Sequence, residues 1–197
     1  MKAVFATKNR HKTNEVKALL SQYGVDIELL TLNDIGFTDE IIEDGESFEE
    51  NALIKCRAVS KKYDGIVIAD DSGLCVDALD GEPGIYSARY AGDGSDDSNN
   101  KKLLEKLKDV PYEKRTAMFV CALAAIIDGE EYVIMGYCEG KIAFEKRGSG
   151  DFGYDPLFEY KNTKKTFAEI TEEEKNRVSH RAHALEGFAE LMKELKK

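Results

Sequence analysis

The sequence predicts an α/β fold, a mixed β-sheet flanked by helices, and three observations carry that prediction. The amino-terminal part alternates strand-like runs with helical periodicity in a β-α-β-α-β order, which favours a helix-covered sheet over an all-β or all-α fold. The middle part, TAMFVCALAAIIDGEEYVIMGYCEGKIAFE, offers long strand-like runs joined at Asp128-Gly129, a hairpin signal that adds antiparallel strands. The 197 residues suffice for a full core in one domain spanning 1–197, and no linker, repeat or low-complexity tract divides them.

Lys2 to Ala6 reads as the first strand. A polar loop, TKNRHK, leads into a helix whose apolar positions Val16, Leu19, Leu20 and Tyr23 follow the helical repeat, with Gly24 as its stop. DIELLTL supplies a second strand. IIEDGESFEENALIKCRAVSKKY holds the next helix, with Ser47 and Glu50 at capping-box spacing, and the strand GIVIA follows at once. Beyond the turn-rich GEPG and GDGSDDSNN, KKLLEKLKD reads as a helix. Ala182, Leu185, Phe188, Met192 and Leu195 mark a final amphipathic helix after a possible Ser179 cap.

Composition narrows the class of ligand. The chain carries 28 basic and 38 acidic side chains, a net charge of −10, which opposes nonspecific binding to nucleic acid or to an anionic membrane. An anionic ligand must therefore meet a locally basic site. The opening MKAVFATKNRHK has too short an apolar run for a signal peptide, and no segment reaches the length of a bilayer span, so a cytoplasmic location is expected. Cys56, Cys75, Cys121 and Cys138 form no CxxC pair and are expected to be reduced and mostly buried.

The stretch IVIADDSG ends a strand-like run in two carboxylates. If the backbone stays extended, Asp70 and Asp71 point to opposite faces, and an ionised carboxylate buried there needs hydrogen bonds, a cation or a raised pKa. Glu43 together with this pair offers the oxygen ligands that Mg²⁺ prefers, although helix capping and turn formation account for the same acids. TKNRHK lies between a strand and a helix, where backbone N–H groups favour a phosphate, yet it lacks the glycines of a Walker loop and also fits a solvated turn. GSGDFG matches GxGxxG formally, but Tyr154-Asp155-Pro156 follows where a dinucleotide fingerprint would open a helix. Such a loop brings backbone close to a ligand and lets an aromatic ring stack on a base, or is a plain turn with its aromatics in the core. His180 and His183 make a poor metal pair without a third ligand. Lys175, His180 and Arg181 are more useful as donors to a phosphate or carbonyl oxygen, beside the alternative of a solvated charged helix.

Taken in order, these motifs resemble the inosine/xanthosine triphosphate pyrophosphatase family. The resemblance runs from TKNRHK through Glu43, Gly45 and SFEENA to ADDSG at Ala69 to Gly73. It continues through GEPGIYSARY, Phe152-Gly153-Tyr154-Asp155-Pro156, Glu174-Lys175 and Ser179-His180-Arg181. It implies an elongated mixed sheet in two lobes with a central substrate cleft, usually as a homodimer, and Mg²⁺ as cofactor. The implied reaction converts deaminated purine nucleoside triphosphates (ITP, dITP, XTP) to monophosphate and pyrophosphate, which keeps them out of DNA and RNA. By the same resemblance Thr7, Lys8, Asn9, Arg10, His11 and Lys12 would hold the phosphates, Glu43 and Asp71 the metal, and Asp71 would be the general base. Ser72 would contact substrate. Phe152, Gly153, Tyr154 and Asp155 would line the nucleoside pocket with Lys175, His180 and Arg181, whose donors would select a 6-oxo purine over adenine. Asp151 departs from the pattern, since similar chains often carry glycine there. An aspartyl-phosphate phosphatase and a nucleotide-binding regulator without turnover are the competing readings.

Overall fold

The computed structural model describes residues 1–150, 152–161 and 163–195. Among them, six strands form one sheet in the order β2-β1-β3-β4-β5-β6. The strands are β1 (Lys2–Phe5), β2 (Glu28–Thr31), β3 (Ile66–Val76), β4 (Thr116–Ile127), β5 (Glu130–Ile142) and β6 (Phe158–Tyr160). The helices are α1 (Arg10–Gln22), α2 (Phe48–Ser60), α3 (Asp96–Lys106), α4 (Glu172–Val178) and α5 (His180–Glu194). β1 pairs in parallel with β2 and β3, and β5 pairs antiparallel with β6, so the sheet is mixed as expected. The β4–β5 connection is two residues long, and Asp128 and Gly129 take φ of 51° and 84°, the left-handed conformation a tight hairpin requires.

The chain divides into two compact units. One comprises Met1–Asp71, Cys121–Gly136 and Arg181–Lys197, with a core in which Phe5 and Ile68 of the strands meet Val16, Leu19 and Leu20 of α1 and Leu185 and Phe188 of α5. The other comprises Ser72–Val120 and Tyr137–His180, with a core built on Leu74, Leu103, Phe119, Phe158 and Phe167. No disulfide joins the four cysteines, and three of them are buried. Among the described residues no helix is long and apolar enough to cross a membrane.

Three local expectations are corrected. β3 does not stop at Ala69: it runs through the Asp pair to Val76, because apolar Leu74 and Val76 have a core of their own to enter. The capping box of α2 is half made. Ser47 accepts from the Glu50 N–H at 3.1 Å, but the Glu50 carboxylate accepts from the Glu46 N–H instead of returning to Ser47. Leu195 falls beyond the end of α5 and is exposed, whereas Ala182, Leu185, Phe188 and Met192 are buried. Ser179 has extended backbone between α4 and α5.

Candidate active site

Because β3 stays extended through both acids, Asp70 and Asp71 take opposite sides of the strand and acquire opposite electrostatics. Asp70 is 2% exposed. Its Oδ2 accepts from Arg181 Nε and Nη2 at 3.2 and 3.0 Å, and Lys12 Nζ lies 3.0 Å away. Burial opposes its ionisation, yet Lys12, Arg181 and Lys55 together hold its carboxyl well below the usual carboxylate range. Arg181 is fully buried, and its Nη1 donates to Glu15 Oε2 at 2.7 Å.

Asp71 is half-buried, and burial raises its pKa, aided by the Glu43 charge and opposed by Lys55, Lys12 and a hydrogen bond from Asn51. Asn51 Nδ2 donates to Asp71 Oδ2 at 3.2 Å, and Lys55 Nζ lies 3.5 Å from Asp71 Oδ1 and 2.5 Å from Glu43 Oε2. One ammonium thus touches both candidate metal ligands. Burial would lower the Lys55 pKa, but Asp71, Asp70 and Glu43 outweigh it and the net shift is upward. Two hard carboxylates converging on one cation-sized position fit Mg²⁺ chemistry. The loop bearing Glu43 is held to α2 through Gly45, whose N–H donates to Asn51 Oδ1 at 3.0 Å. A Cβ at Gly45 would lie 2.7 Å from Glu50 Cβ and 2.9 Å from Asn51 Oδ1, so the close approach demands glycine.

TKNRHK divides between loop and helix. Asn9 is the N-cap of α1, its Oδ1 accepting from the Lys12 N–H at 3.1 Å, while Thr7 Oγ1 accepts from the Asn9 N–H at 3.1 Å. The first turn of α1 contains no acidic residue, and Lys8, Arg10 and His11 are exposed. That leaves the positive end of a thirteen-residue helix facing water with basic side chains around it.

The remaining candidates belong to the second unit. After Gly153 the chain turns and enters β6, with no helix, as expected from Pro156. α3 grips the Gly153 peptide from both sides: Asp96 Oδ2 accepts from its N–H and Asn100 Nδ2 donates to its carbonyl, each at 2.8 Å. Tyr154 is core, its hydroxyl donating to the Ser87 carbonyl at 2.8 Å, while Phe152 is half-buried. Lys175 pairs with Asp155 and sits 5.5 Å from the ring centres of both Phe152 and Phe167. His180 is buried and stacks on Phe119 at 4.7 Å and 12°, whereas His183 is exposed. Ser72 is half-buried on β3. Asp151 lies outside the described residues.

Sequence reasoning did not single out Lys55, Asn51 or Glu15. A signal existed for the first two: Phe48, Asn51, Ala52, Lys55, Cys56 and Val59 form the buried stripe of α2, and an amide and an ammonium in an apolar stripe need partners. Glu15 had no comparable mark, because its partner Arg181 lies 166 residues away.

A sheet strand carrying paired carboxylates, with two lysines and a neighbouring helix amino terminus, is an arrangement suited to phosphate handling in an α/β protein. The chain belongs to the Ham1 family, whose model matches residues 3–191. A dITP/XTP pyrophosphatase of Bacillus subtilis (strain 168) is 51% identical over 192 residues, covering 96% of each chain. One from Thermoanaerobacter pseudethanolicus is 50% identical over 186 residues, covering 94% of this chain and 93% of that one. The structure of the Staphylococcus aureus Ham1 protein superposes with a TM-score of 0.88 at 40% identity, covering 100% of both chains.

Proposed function

We propose that this protein is a nucleoside triphosphate pyrophosphatase that hydrolyses ITP, dITP and XTP to the monophosphate and pyrophosphate, withholding deaminated purines from DNA and RNA synthesis. The observation that carries the reading is the meeting of Glu43 and Asp71 on one cationic nitrogen, beside the lysine-bearing start of α1. Glu43 and Asp71 would hold Mg²⁺, which when bound offsets charge on the phosphate chain and on the departing pyrophosphate. The side chains of Lys8, Arg10, His11 and Lys12, with Thr7 and Asn9, bind and orient the triphosphate at the helix terminus. Asp71 accepts the proton of the attacking water. Its raised pKa brings a carboxylate nearer the operating pH, where a general base is most effective. Water adds at phosphorus as the anhydride bond between the α- and β-phosphates breaks, and the electron pair leaves with pyrophosphate.

Phe152, Gly153, Tyr154 and Asp155, with Ser72, Lys175 and His180, are assigned to the nucleoside. A 6-oxo purine accepts a hydrogen bond where adenine donates one, so protein donors at that atom reject ATP. Arg181 reaches a base only by leaving Glu15 and Asp70, and we assign it first to fixing Asp70 and through it Lys12. A homodimer, on the resemblance alone, and a cytoplasmic location, on the sequence pattern alone, complete the reading. Incubation with ITP, dITP, XTP, GTP and ATP plus Mg²⁺, resolving pyrophosphate from orthophosphate, is the test. Pyrophosphate from the deaminated nucleotides is expected; orthophosphate would favour an aspartyl-phosphate route, and no turnover a binding protein.

A further inference from the structure

One buried cation of the first unit is left without a task by the pyrophosphatase reading. Lys55 is 8% exposed, on the buried face of α2. Its ammonium is 2.5 Å from Glu43 Oε2 and 3.5 Å from Asp71 Oδ1. Asn51, one turn earlier, donates to the other Asp71 oxygen and accepts from Gly45. The two carboxylates are therefore anchored to α2 by two devices, one an amide that carries no charge and the other a cation on a flexible four-carbon stem. The amide is compatible with a divalent ion next to Asp71. The ammonium is not, because like charges within a few ångströms repel strongly in a half-buried site.

We propose that Lys55 is a resident counter-cation: its ammonium occupies the Glu43–Asp71 position in the metal-free protein, keeps the two carboxylates together there, and yields to the entering divalent ion. It is a positioning residue that sets how tightly free protein holds metal, so the site stays weakly loaded until a polyanionic substrate offers the displaced ammonium a new partner. The inference rests on the assignment of Glu43 and Asp71 as metal ligands.

The test uses Mn²⁺ alone, titrated into nucleotide-free protein and followed by the electron paramagnetic resonance signal of the free ion. Lys55→Met keeps the length of the side chain and removes its charge, and should tighten Mn²⁺ binding at least about tenfold, as removal of a nearby like charge requires. Lys55→Arg, which keeps the charge, should stay near wild type. Metal-free Lys55→Met should melt below wild type and recover on addition of Mn²⁺, since the carboxylates then repel each other until a cation returns. Lys55→Gln serves in the same way should the methionine variant fail to fold. Unchanged or weaker Mn²⁺ binding without the lysine charge overturns the inference. Glu43→Gln separates the two levels of the argument. If it abolishes Mn²⁺ binding while Lys55→Met has no effect, the metal site stands and the role of Lys55 falls. If neither Glu43→Gln nor Asp71→Asn alters Mn²⁺ binding, the ligand assignment fails and takes this inference with it.

Discussion

Asp70 and Asp71 are chemically identical neighbours with opposite electrostatics, and their separation comes from which charges each one meets. The folded pKa of Asp70 lies below its ordinary value of 3.8, so its ionised form stabilises the protein at all pH above that value. That contribution is lost only as the pH falls through the depressed folded value. Asp71 has the reverse sign. Its folded pKa is raised, so its protonated form favours folding at low pH, and that contribution is lost as the pH rises through the folded value. Two substitutions follow from these signs. Asp71→Asn should lower turnover by roughly two orders of magnitude or more while leaving the melting temperature at neutral pH unchanged or higher. Asp70→Asn should cost roughly 3–5 kcal/mol of stability, because Arg181 and Lys12 lose a buried partner. Its effect on turnover should be the smaller of the two. Urea melts beside steady-state kinetics measure both, and near-normal turnover of Asp71→Asn at saturating Mg²⁺ would remove Asp71 from the chemistry.

Two helices of the first unit deliver parts of the candidate site, one through its end and the other through its buried stripe. α1 contributes its amino terminus, ordered by the Asn9 cap, and from its first turn projects Lys12 onto Asp70. α2 contributes a face on which Asn51 and Lys55 replace apolar residues one turn apart. If α1 is a phosphate site, Lys12→Ala should weaken ITP binding more than IMP binding, because the triphosphate carries more charge. The difference should shrink with added salt, as screening predicts. Calorimetric titration with Ca²⁺ in place of Mg²⁺ tests this, and equal affinities in mutant and wild type would return TKNRHK to the status of an ordinary turn. In the second unit, α3 does for the Gly153 loop what α2 does for Glu43. It clamps an otherwise irregular backbone through Asp96 and Asn100.

For the molecule as a whole, a net charge of −10 makes the basic start of α1 and the paired lysines a local exception to a repulsive field. If Glu43 and Asp71 are the metal ligands proposed above, a divalent cation accompanies the substrate into this field. Turnover should vanish in excess EDTA and return with Mg²⁺, which a single dialysis series can measure. Sedimentation equilibrium should report twice the 22.0 kDa of the chain if the homodimer expectation holds, and a mass of one chain at micromolar concentration would refute it.

Local chemistry sufficed for most elements: hydrophobic periodicity marked α1 and α5, capping-box spacing marked α2, Asp128-Gly129 marked the hairpin, and strand-like runs marked the long strands. The ordered motifs sufficed for the family, because their residue types sit at chain positions readable without a fold. Where β3 would end was misread, since Leu74 and Val76 are drawn onward by a core assembled from distant segments. The partners of the acids were equally out of reach. Arg181 meets Asp70 across 111 residues and Glu15 across 166, and Lys55 becomes a neighbour of Asp71 only when α2 packs. Ion pairing depends on distances of a few ångströms, which sequence spacing determines within a helix turn or along a strand and tertiary packing alone determines between them.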